Sequence, residues 1–493
     1  MSINDSSAPP HPDSILRLLS CVHRFSIVSV RLRITSRACF GRFSCRIIVQ
    51  PSSPFNQPYI NPSDQLKFEA SFKTCAGGHK STLAVICQAD DRRQEIKKNM
   101  ADGKLSHAGL SKALEGYIPL INQILLSCKF QPESARLDQR LLFSWYSGIE
   151  HMNSKKNHYF DSEALMFELV MVLATLALSE SNLACDACKE GKFPEASRFF
   201  SKSAGVFKLL GTDIVPNWMA NSVQHAEMEH ESLAETRVGV CVAFTSLFMA
   251  MSQQMAVATI LAKPGTPNYA LVGKLCLGIA EDLDSFVSTM RSKSPVHMSR
   301  MDPSFLTLIT FSINVQRASS LYFLARSLWT SSEYGVAISA LSEATVAMRT
   351  RTSPSGRGLP EIAPNGPLKS LLIEVSGFRQ HMAAMLTSWE KDNQLVYFEK
   401  VPPSVPASKG LKAIQLKKAD EFFLEMRDPL PLGTLPGERP MSPSRNETDE
   451  VSRIHKDDGP PSYVEAMNDS CLAGHQRSDS DLARELHAKL NAE

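Results

Sequence analysis

The chain has 493 residues, enough for two to four ordinary domains or one long helical array. Lys and Arg number 53 against 51 Asp and Glu, so no overall field points to nucleic acid or to a strongly acidic partner. Hydrophobic residues make up 43% and charged residues 21%, which excludes wholesale disorder, collagen and coiled-coil classes. The 11 cysteines follow no repeating spacing, so a reducing compartment, the cytosol by default, fits better than a disulfide framework.

The N-terminal segment 1–66 differs from the rest of the chain. Residues 1–62 contain seven Arg, no Lys and two acidic residues, with many Ser and scattered β-branched residues. An Arg-rich, Ser-rich and acid-poor segment is typical of an organelle transit peptide. Because its apolar residues show no sustained helical face, we interpret 1–66 as a disordered extension or a mis-joined exon, with the transit peptide as the alternative.

Between residues 105 and 349, apolar residues recur at intervals of three and four, which predicts long helices separated by short polar breaks. Ser162 is predicted to cap a central helix that is apolar on nearly all sides over 165–176. Further helices are predicted at 194–210, 226–261, 269–291, 302–331 and 335–350. No region alternates with period two for long, so any strands should be short and near the N-terminal end.

The stretch Val238–Ala262 contains no charged residue and is long enough to cross a bilayer. Thr245, Ser246 and Gln253 lie in its middle, and polar residues at that depth favour a buried helix of a folded domain. Small residues in the hairpin 318–347 and in 192–210 are typical of tetratricopeptide-like helix pairs, which pack closely. The spacing between these two segments matches no fixed repeat length, so we predict one irregular helical domain over 67–428.

The segment 429–493 is rich in Pro, Ser and charged residues and is predicted to be a disordered tail. It contains Pro460, Pro461 and Tyr463 in a Pro-Pro-x-Tyr element. Such an element is what WW domains bind, because the prolines preset a polyproline II ridge and the tyrosine fills a second slot. The alternative is linker proline with an incidental tyrosine. The tail ends with Leu482, Leu486 and Leu490 at helical spacing.

Catalytic signals are weak. Cys185 and Cys188 form a lone CxxC, without the second ligand pair of a zinc site or the strand-to-helix context of a redox site. His225 and His230 lie among carboxylates but form neither HExxH nor a di-iron pattern. There is no Walker loop, GxGxxG, GxSxG or kinase signature. We therefore predict no catalytic residue, no metal and no cofactor.

Four groups of segments occur in an informative order. They are 143–145 with 159–173, then 195–207, then the hairpin 322–344, and finally 392–402. In this order they resemble the Bro-one domain, the endosomal-targeting module of ALIX-type proteins. The resemblance covers about 105–404 and implies an all-α, boomerang-shaped domain with a tetratricopeptide-like solenoid core. It also implies a small sheet before the first long helix, for which 68–88 is a poor match, and a closing strand at 392–402.

The resemblance implies a partner as well. In that family an apolar patch on the concave side receives the C-terminal helix of an ESCRT-III subunit. Alignment places the patch on Leu271 and Leu275 beside Lys274, with the two leucines at i and i+4. Ala258 stands where an aromatic residue is usual, which removes an anchor for helix-in-groove binding. The alternative is that Leu271 and Leu275 are core residues.

Together these observations predict a non-enzymatic scaffold of endosomal sorting that is cytoplasmic and recruited to endosomes. It would bind an ESCRT-III tail helix, and its own tail would recruit a WW-domain protein, for example a HECT-type ubiquitin ligase. The last residues form no prenylation box, so membrane contact is expected only through protein partners. A metal- or thiol-dependent helical enzyme and an organelle-imported helical protein are the alternatives.

Overall fold

Long helices dominate the computed structural model, which describes residues 58–102, 106–150, 159–220, 232–350, 359–360, 369–416 and 418–433. In chain order the helices are α1 (Phe68–Ser71), α2 (Lys73–Ala76), α3 (Lys80–Asp102), α4 (His107–Phe130), α5 (Leu165–Lys189), α6 (Phe193–Leu209), α7 (Val215–Ala220), α8 (Val238–Ala262), α9 (Tyr269–Lys293), α10 (Pro295–Ser299), α11 (Pro303–Thr330), α12 (Tyr334–Ala347) and α13 (Lys369–Asp392). Short π-helical turns follow α6 (Leu210–Ile214) and α13 (Asn393–Tyr397).

The long helices form an array in which each packs against the ones before and after it. The sequence of neighbours is α3, α4, α5, α6, α8, α9, α11, α12 and α13. Helix α5 is apolar nearly all round and is buried along most of its length, as expected for a helix with partners on every side. The predicted all-α fold class is thereby confirmed.

Helices α5 and α8 are each long and apolar enough to cross a membrane by length and composition. In their most hydrophobic windows, 89% of α5 and 72% of α8 is buried inside the fold. Helix α8 packs between α6 and α9. Both are therefore core helices of this fold, as predicted for Val238–Ala262.

Two predicted helix starts were wrong. Ser162 does not cap α5 but is the last residue of a strand, and its Oγ accepts from Ala164 N at 3.3 Å. The helix begins at Leu165, after Ala164. The helix expected from 226 begins at Val238 because Ala234–Thr236 form a 3-10 turn and Arg237 is extended. Residues 226–231 lie outside the described part of the chain.

A small antiparallel sheet is formed by one strand before α1 and two strands between α4 and α5. It consists of β1 (Tyr59–Ile60), β2 (Phe143–Tyr146) and β3 (Phe160–Ser162) in the order β1-β2-β3, with Trp145 opposite both Ile60 and Phe160. Residues 68–88 are helical instead. Ordered structure begins before the predicted boundary at 67, since Ile60 and Leu66 are buried in the core.

The sheet is held by a buried polar cluster, here called the sheet anchor, of Asp64, Arg93, Tyr117, Trp145 and Glu168. Arg93 pairs with Glu168 at 2.9 Å and with Asp64 at 2.8 Å. Trp145 Nε1 donates to Glu168 Oε2 at 2.6 Å, and Tyr117 OH donates to Glu168 Oε1 at 3.1 Å. The anchor therefore ties β2, α3, α4 and α5 together through one carboxylate.

A C-terminal strap, residues 399–433, runs back over the helices in the reverse of chain order. Leu430 and Leu432 at its end are buried, so the folded domain continues past the predicted boundary at 428. The strap forms hydrogen bonds with α12, α9, α6, α4 and α2, in that order. The bonds are, respectively, Gly335 N to Glu399 Oε2 at 2.7 Å, Ile414 N to Lys274 O at 3.2 Å, Asp420 N to Ser201 O at 3.3 Å, Asn122 Nδ2 to Glu425 O at 3.3 Å, and Gly433 N to Cys75 O at 2.6 Å.

Candidate functional site

The predicted partner-binding residues lie in the first two turns of α9. Asn268 caps this helix by accepting from Leu271 N at 3.1 Å. Leu271 and Lys274 are partly exposed, whereas Leu275 is 0% exposed and belongs to the core. The prediction that Leu275 offers an apolar surface was therefore wrong, because Leu275 lies in the core, where α8 and α11 both pack against α9.

The strap passes over α8 and α9 at a place we call the strap crossing: Gln253, Leu271, Lys274, Gly278 and strap residues 411–416. The buried side chain of Gln253 is fully bonded there. Its Nε2 donates to Leu275 O at 2.8 Å and to Ile414 O at 2.9 Å, and its Oε1 accepts from Leu416 N at 3.1 Å. A single neutral amide thus fixes the strap against two helices.

Gly278 allows this close approach. A Cβ atom at Gly278 would lie 2.4 Å from Ile414 O, closer than real Cβ atoms come to a backbone oxygen. Gly273, five residues earlier, makes room for the side chain of Leu411. Gly278 thus lets the strap backbone lie directly on α9, and the side chains of Lys412 and Gln415 are exposed.

The charge at the strap crossing is mainly positive. Lys274 is partly exposed and Lys412 is exposed. Asp282 lies on α9 nearby and accepts from Gln415 Nε2 at 2.6 Å. Burial, with a smaller effect of Glu281, raises the pKa of Asp282 to about 7, so this carboxyl carries only a fraction of a negative charge at neutral pH. The arrangement offers cations beside a small apolar surface.

Ala258, which the sequence placed at an aromatic position, is buried in α8. It therefore offers no anchor at the surface. Of the predicted partner-binding residues, the fold leaves Leu271 and Lys274 accessible.

The thiol and metal alternatives gain no support. Cys185 and Cys188 are buried in α5, and Cys188 Sγ lies 3.0 Å from Met255 Sδ. Burial raises the pKa of the Cys188 thiol to about 12, which disfavours the reactive thiolate. His225 and His230 lie outside the described residues. Among the residues that are described, no group of three His, Cys, Asp or Glu could hold a metal ion.

Pro460, Pro461 and Tyr463 also lie outside the described residues, as do Leu482, Leu486 and Leu490. The Pro-Pro-x-Tyr element therefore stays a prediction from sequence.

An exposed apolar corner at the end of α13 was missed by sequence reasoning. The stretch implied to be a closing strand instead forms the π-helical turn Asn393–Tyr397. Asn393 bonds both backbone groups of Glu399, which leaves Phe398 at φ 55° and 74% exposed. Leu395 and Val396 beside it are 65% and 62% exposed. The run of apolar residues was visible in the sequence, but its exposure was not.

Comparison with known proteins gives the family. The sequence profile described as the BRO1-like domain matches residues 80–434, most of the chain, so the protein belongs to the BRO1-like domain family. No curated protein sequence matches this chain significantly.

Solved structures show the same fold. A Bro1 domain studied for endosomal targeting is 16% identical, with a TM-score of 0.55 over 74% of this chain and 93% of its own. The BRO1 domain of ALIX in complex with CHMP4C is 14% identical, with a TM-score of 0.56 over 74% and 94%. ALIX bound to a viral late-domain peptide is 14% identical, with a TM-score of 0.55 over 71% of this chain and 46% of that one.

Proposed function

We propose that this protein is a non-enzymatic adaptor of endosomal sorting that binds the C-terminal helix of an ESCRT-III subunit at the strap crossing. The observation that carries the proposal is membership of the BRO1-like domain family together with the ALIX BRO1–CHMP4C complex as a structural neighbour. The partly exposed Leu271 and Lys274 supply an apolar contact and a cation for an amphipathic helix.

Binding at this place should be modest in affinity. Leu275 is buried and Ala258 offers no aromatic anchor, so the apolar contact rests largely on Leu271. Interfaces without a central aromatic or Arg anchor are weaker than interfaces of equal area that have one. We expect dissociation constants on the order of 10 to 100 μM.

The test is a titration of the full chain with C-terminal peptides from a panel of ESCRT-III subunits, CHMP4C among them. Leu271→Asp should weaken binding by about tenfold or more, because a carboxylate in an apolar contact must be desolvated. Lys274→Glu should weaken it by a smaller factor. Leu137→Asp, which changes a leucine that is 45% exposed outside the crossing, is the matched control and should leave binding unchanged. Failure of every peptide to bind would refute the proposal.

We also propose that the tail recruits WW-domain proteins through Pro460, Pro461 and Tyr463. The support is the Pro-Pro-x-Tyr sequence itself within a Pro-rich segment. A tail peptide spanning 457–468 should bind WW domains weakly, and Tyr463→Ala should abolish this binding. Ser462→Ala changes the variable position and should be nearly silent. Equal binding by the wild-type and Tyr463→Ala peptides would show that the Pro-Pro-x-Tyr element is linker sequence with an incidental tyrosine and not a WW ligand.

The protein is proposed to act in the cytoplasm and to reach endosomes through its protein partners. Purified protein should therefore fail to float with bare neutral or anionic vesicles. Robust flotation in that experiment would show that the protein binds membranes directly and does not need a protein partner to reach them.

A further inference from the structure

Residues 409–428 of the strap divide into two halves of opposite charge. The sequence from 409 to 418 carries four lysines and no acidic residue. From 419 to 428 it carries Asp420, Glu421, Glu425 and Asp428 with a single base, Arg427. Such segregation along an extended surface segment gives one end of it a positive field and the other a negative field.

The positive half coincides with the strap crossing. Lys412 and Lys418 are exposed, and Lys412 lies two residues from Ile414, whose amide bonds to Lys274 O. Ser201 Oγ donates to Lys418 O at 3.2 Å, and Arg198, one turn before Ser201 on α6, is exposed. These contacts place Lys412 beside α9 and Lys418 beside α6, and Arg198 lies one helical turn from the α6 contact.

Neighbouring acids neutralise this stretch only in part. Asp282 has its pKa raised to about 7, Glu281 beside it is exposed, and Asp420 accepts from the neutral Ser201 Oγ at 2.8 Å. Glu333 pairs with Lys409 at 2.7 Å, at the end of the strap half next to α12. The bonds of Gln253 hold the backbone at Ile414 and Leu416, and Ser201 holds the backbone of Lys418, so both exposed lysines lie beside fixed points of the strap.

We propose that Arg198, Lys274, Lys412 and Lys418 form a basic strip that binds an acidic peptide segment flanking the partner's amphipathic helix. This deepens the proposed function and rests on it, because the helix would bind beside the strip at Leu271. Lys418 follows Lys412 by six positions, which corresponds to about 20 Å in an extended chain. The strip therefore matches an extended acidic segment of roughly six residues.

A peptide fits better than a membrane. The acidic half of the strap continues directly from Lys418, and an anionic lipid surface would repel Asp420 and Glu421 as it attracted the lysines. A narrow peptide can follow the basic half alone. Complementary charge of this kind raises association rates and selects partners more than it adds affinity.

The test uses the full chain and fluorescent probe peptides with leucines at i, i+4 and i+8, preceded by roughly six Glu or six Gln, to match the length of the strip. At about 50 mM salt the Glu probe should bind about tenfold more tightly than the Gln probe, and the difference should shrink at about 300 mM salt. Lys412→Glu with Lys418→Glu should remove the preference for the Glu probe. Lys112→Glu, an exposed lysine of α4, should preserve it.

The outcomes separate the two proposals. Equal binding of both probes, or an equal effect of Lys112→Glu, overturns the basic strip. If ESCRT-III peptides bind but respond to neither salt nor the strap variants, the proposed function stands and the strip fails. If the Glu probe alone shows the predicted preference and no ESCRT-III peptide binds, the strip stands and the partner assignment fails. Capture of anionic vesicles that the strap variants abolish would assign the strip to membranes and overturn the peptide proposal. Circular dichroism of each variant establishes that it is folded.

Discussion

The sheet anchor and the strap crossing both join segments that are distant in the sequence, but they use different chemistry. The anchor surrounds Glu168 with the Arg93 guanidinium, Tyr117 and Trp145, all buried. The crossing uses one neutral amide, Gln253, and close backbone contact at Gly278. Removing one member of a buried charged cluster leaves an uncompensated charge, whereas removing a neutral amide leaves only unbonded backbone groups.

The difference bears on function. The cation of the sheet anchor, Arg93, is buried and paired with Asp64 and Glu168, so it is not accessible to a partner protein. Since the strap crossing is fixed by uncharged groups, its lysines remain at the surface. We therefore expect changes at the anchor to lower stability strongly, and surface changes at the crossing to alter binding with little effect on the fold.

The largest effect tests which part of the crossing is core. Leu275→Asp should cost about 5 kcal/mol or prevent folding, because it places a carboxylate where the side chain is 0% exposed. Leu271→Asp should cost about 1 kcal/mol or less, since Leu271 is partly exposed. Circular dichroism and urea unfolding measure both. Normal stability of the Leu275→Asp variant would show that Leu275 is a surface residue.

At the sheet anchor, Arg93→Met should lower the free energy of unfolding by about 3–5 kcal/mol, because Glu168 and Asp64 lose their shared cation in the interior. The control is Arg92→Ala, which breaks an exposed pair with Glu95 and should cost about 0.5 kcal/mol or less. Urea unfolding of the two variants compares them. Equal small losses would mean that the anchor is no stronger than a surface pair.

Glu235 tests a buried carboxylate of a different kind. Its Oε1 accepts from Gly148 N at 2.7 Å and Ser147 Oγ at 3.1 Å, and burial raises its pKa to about 7. The unfolded chain loses this proton near its ordinary pKa of 4.5, while the folded chain keeps it up to about 7. Stability contributed by this group is thus complete below about pH 4.5 and is lost as the pH rises through 7.

Unfolding free energy should therefore fall by about 1–3 kcal/mol between pH 5 and 8 through this group. Glu235→Gln, which is neutral throughout, should remove that part of the pH dependence. Urea unfolding at several pH values checks this. A pH profile that is identical in the wild type and in Glu235→Gln would show that the Glu235 pKa is not raised.

The last of these effects is similar in size to that of Glu235 and concerns the strap. Gln253→Ala should cost about 1–3 kcal/mol, because Ile414 O and Leu416 N lose their partner while the rest of the strap stays bonded. Hydrogen exchange at 411–416 should speed up more than exchange at 428–433, which is bonded to α4 and α2. Equal exchange at the two ends would mean that the strap opens as one unit.

Several features of the fold followed from the sequence. Apolar residues at intervals of three and four gave the long helices, and the predicted starts at 269 and 302 agree with α9 and α11, which the structure shows capped by Asn268 and Asp302. The absence of charge from Val238–Ala262, with polar residues inside it, indicated a buried helix. The order of the segments indicated the family before any contact was known.

Other features were not visible in any local pattern. The strap joins Ile414 to Gln253, 161 residues apart, and the strap's own part of this bond is a backbone carbonyl, which every residue carries. The strand at Tyr59–Ile60 is only two residues long and pairs with Tyr146 and Trp145 across the chain. Ser162 has the side chain of a cap but lies in a strand, because pairing with Phe143 outweighs the local preference.

The sequence by itself determined that this chain is helical, where most helices run, and to which family it belongs, because periodicity and segment order are properties of the chain alone. Only the tertiary structure decided that Leu271 is accessible and Leu275 is not. Helical spacing places both residues on neighbouring parts of one helix surface, but burial depends on which element packs there. At α9 those elements are α8, α11 and the strap, and none of these neighbours is encoded within α9 itself.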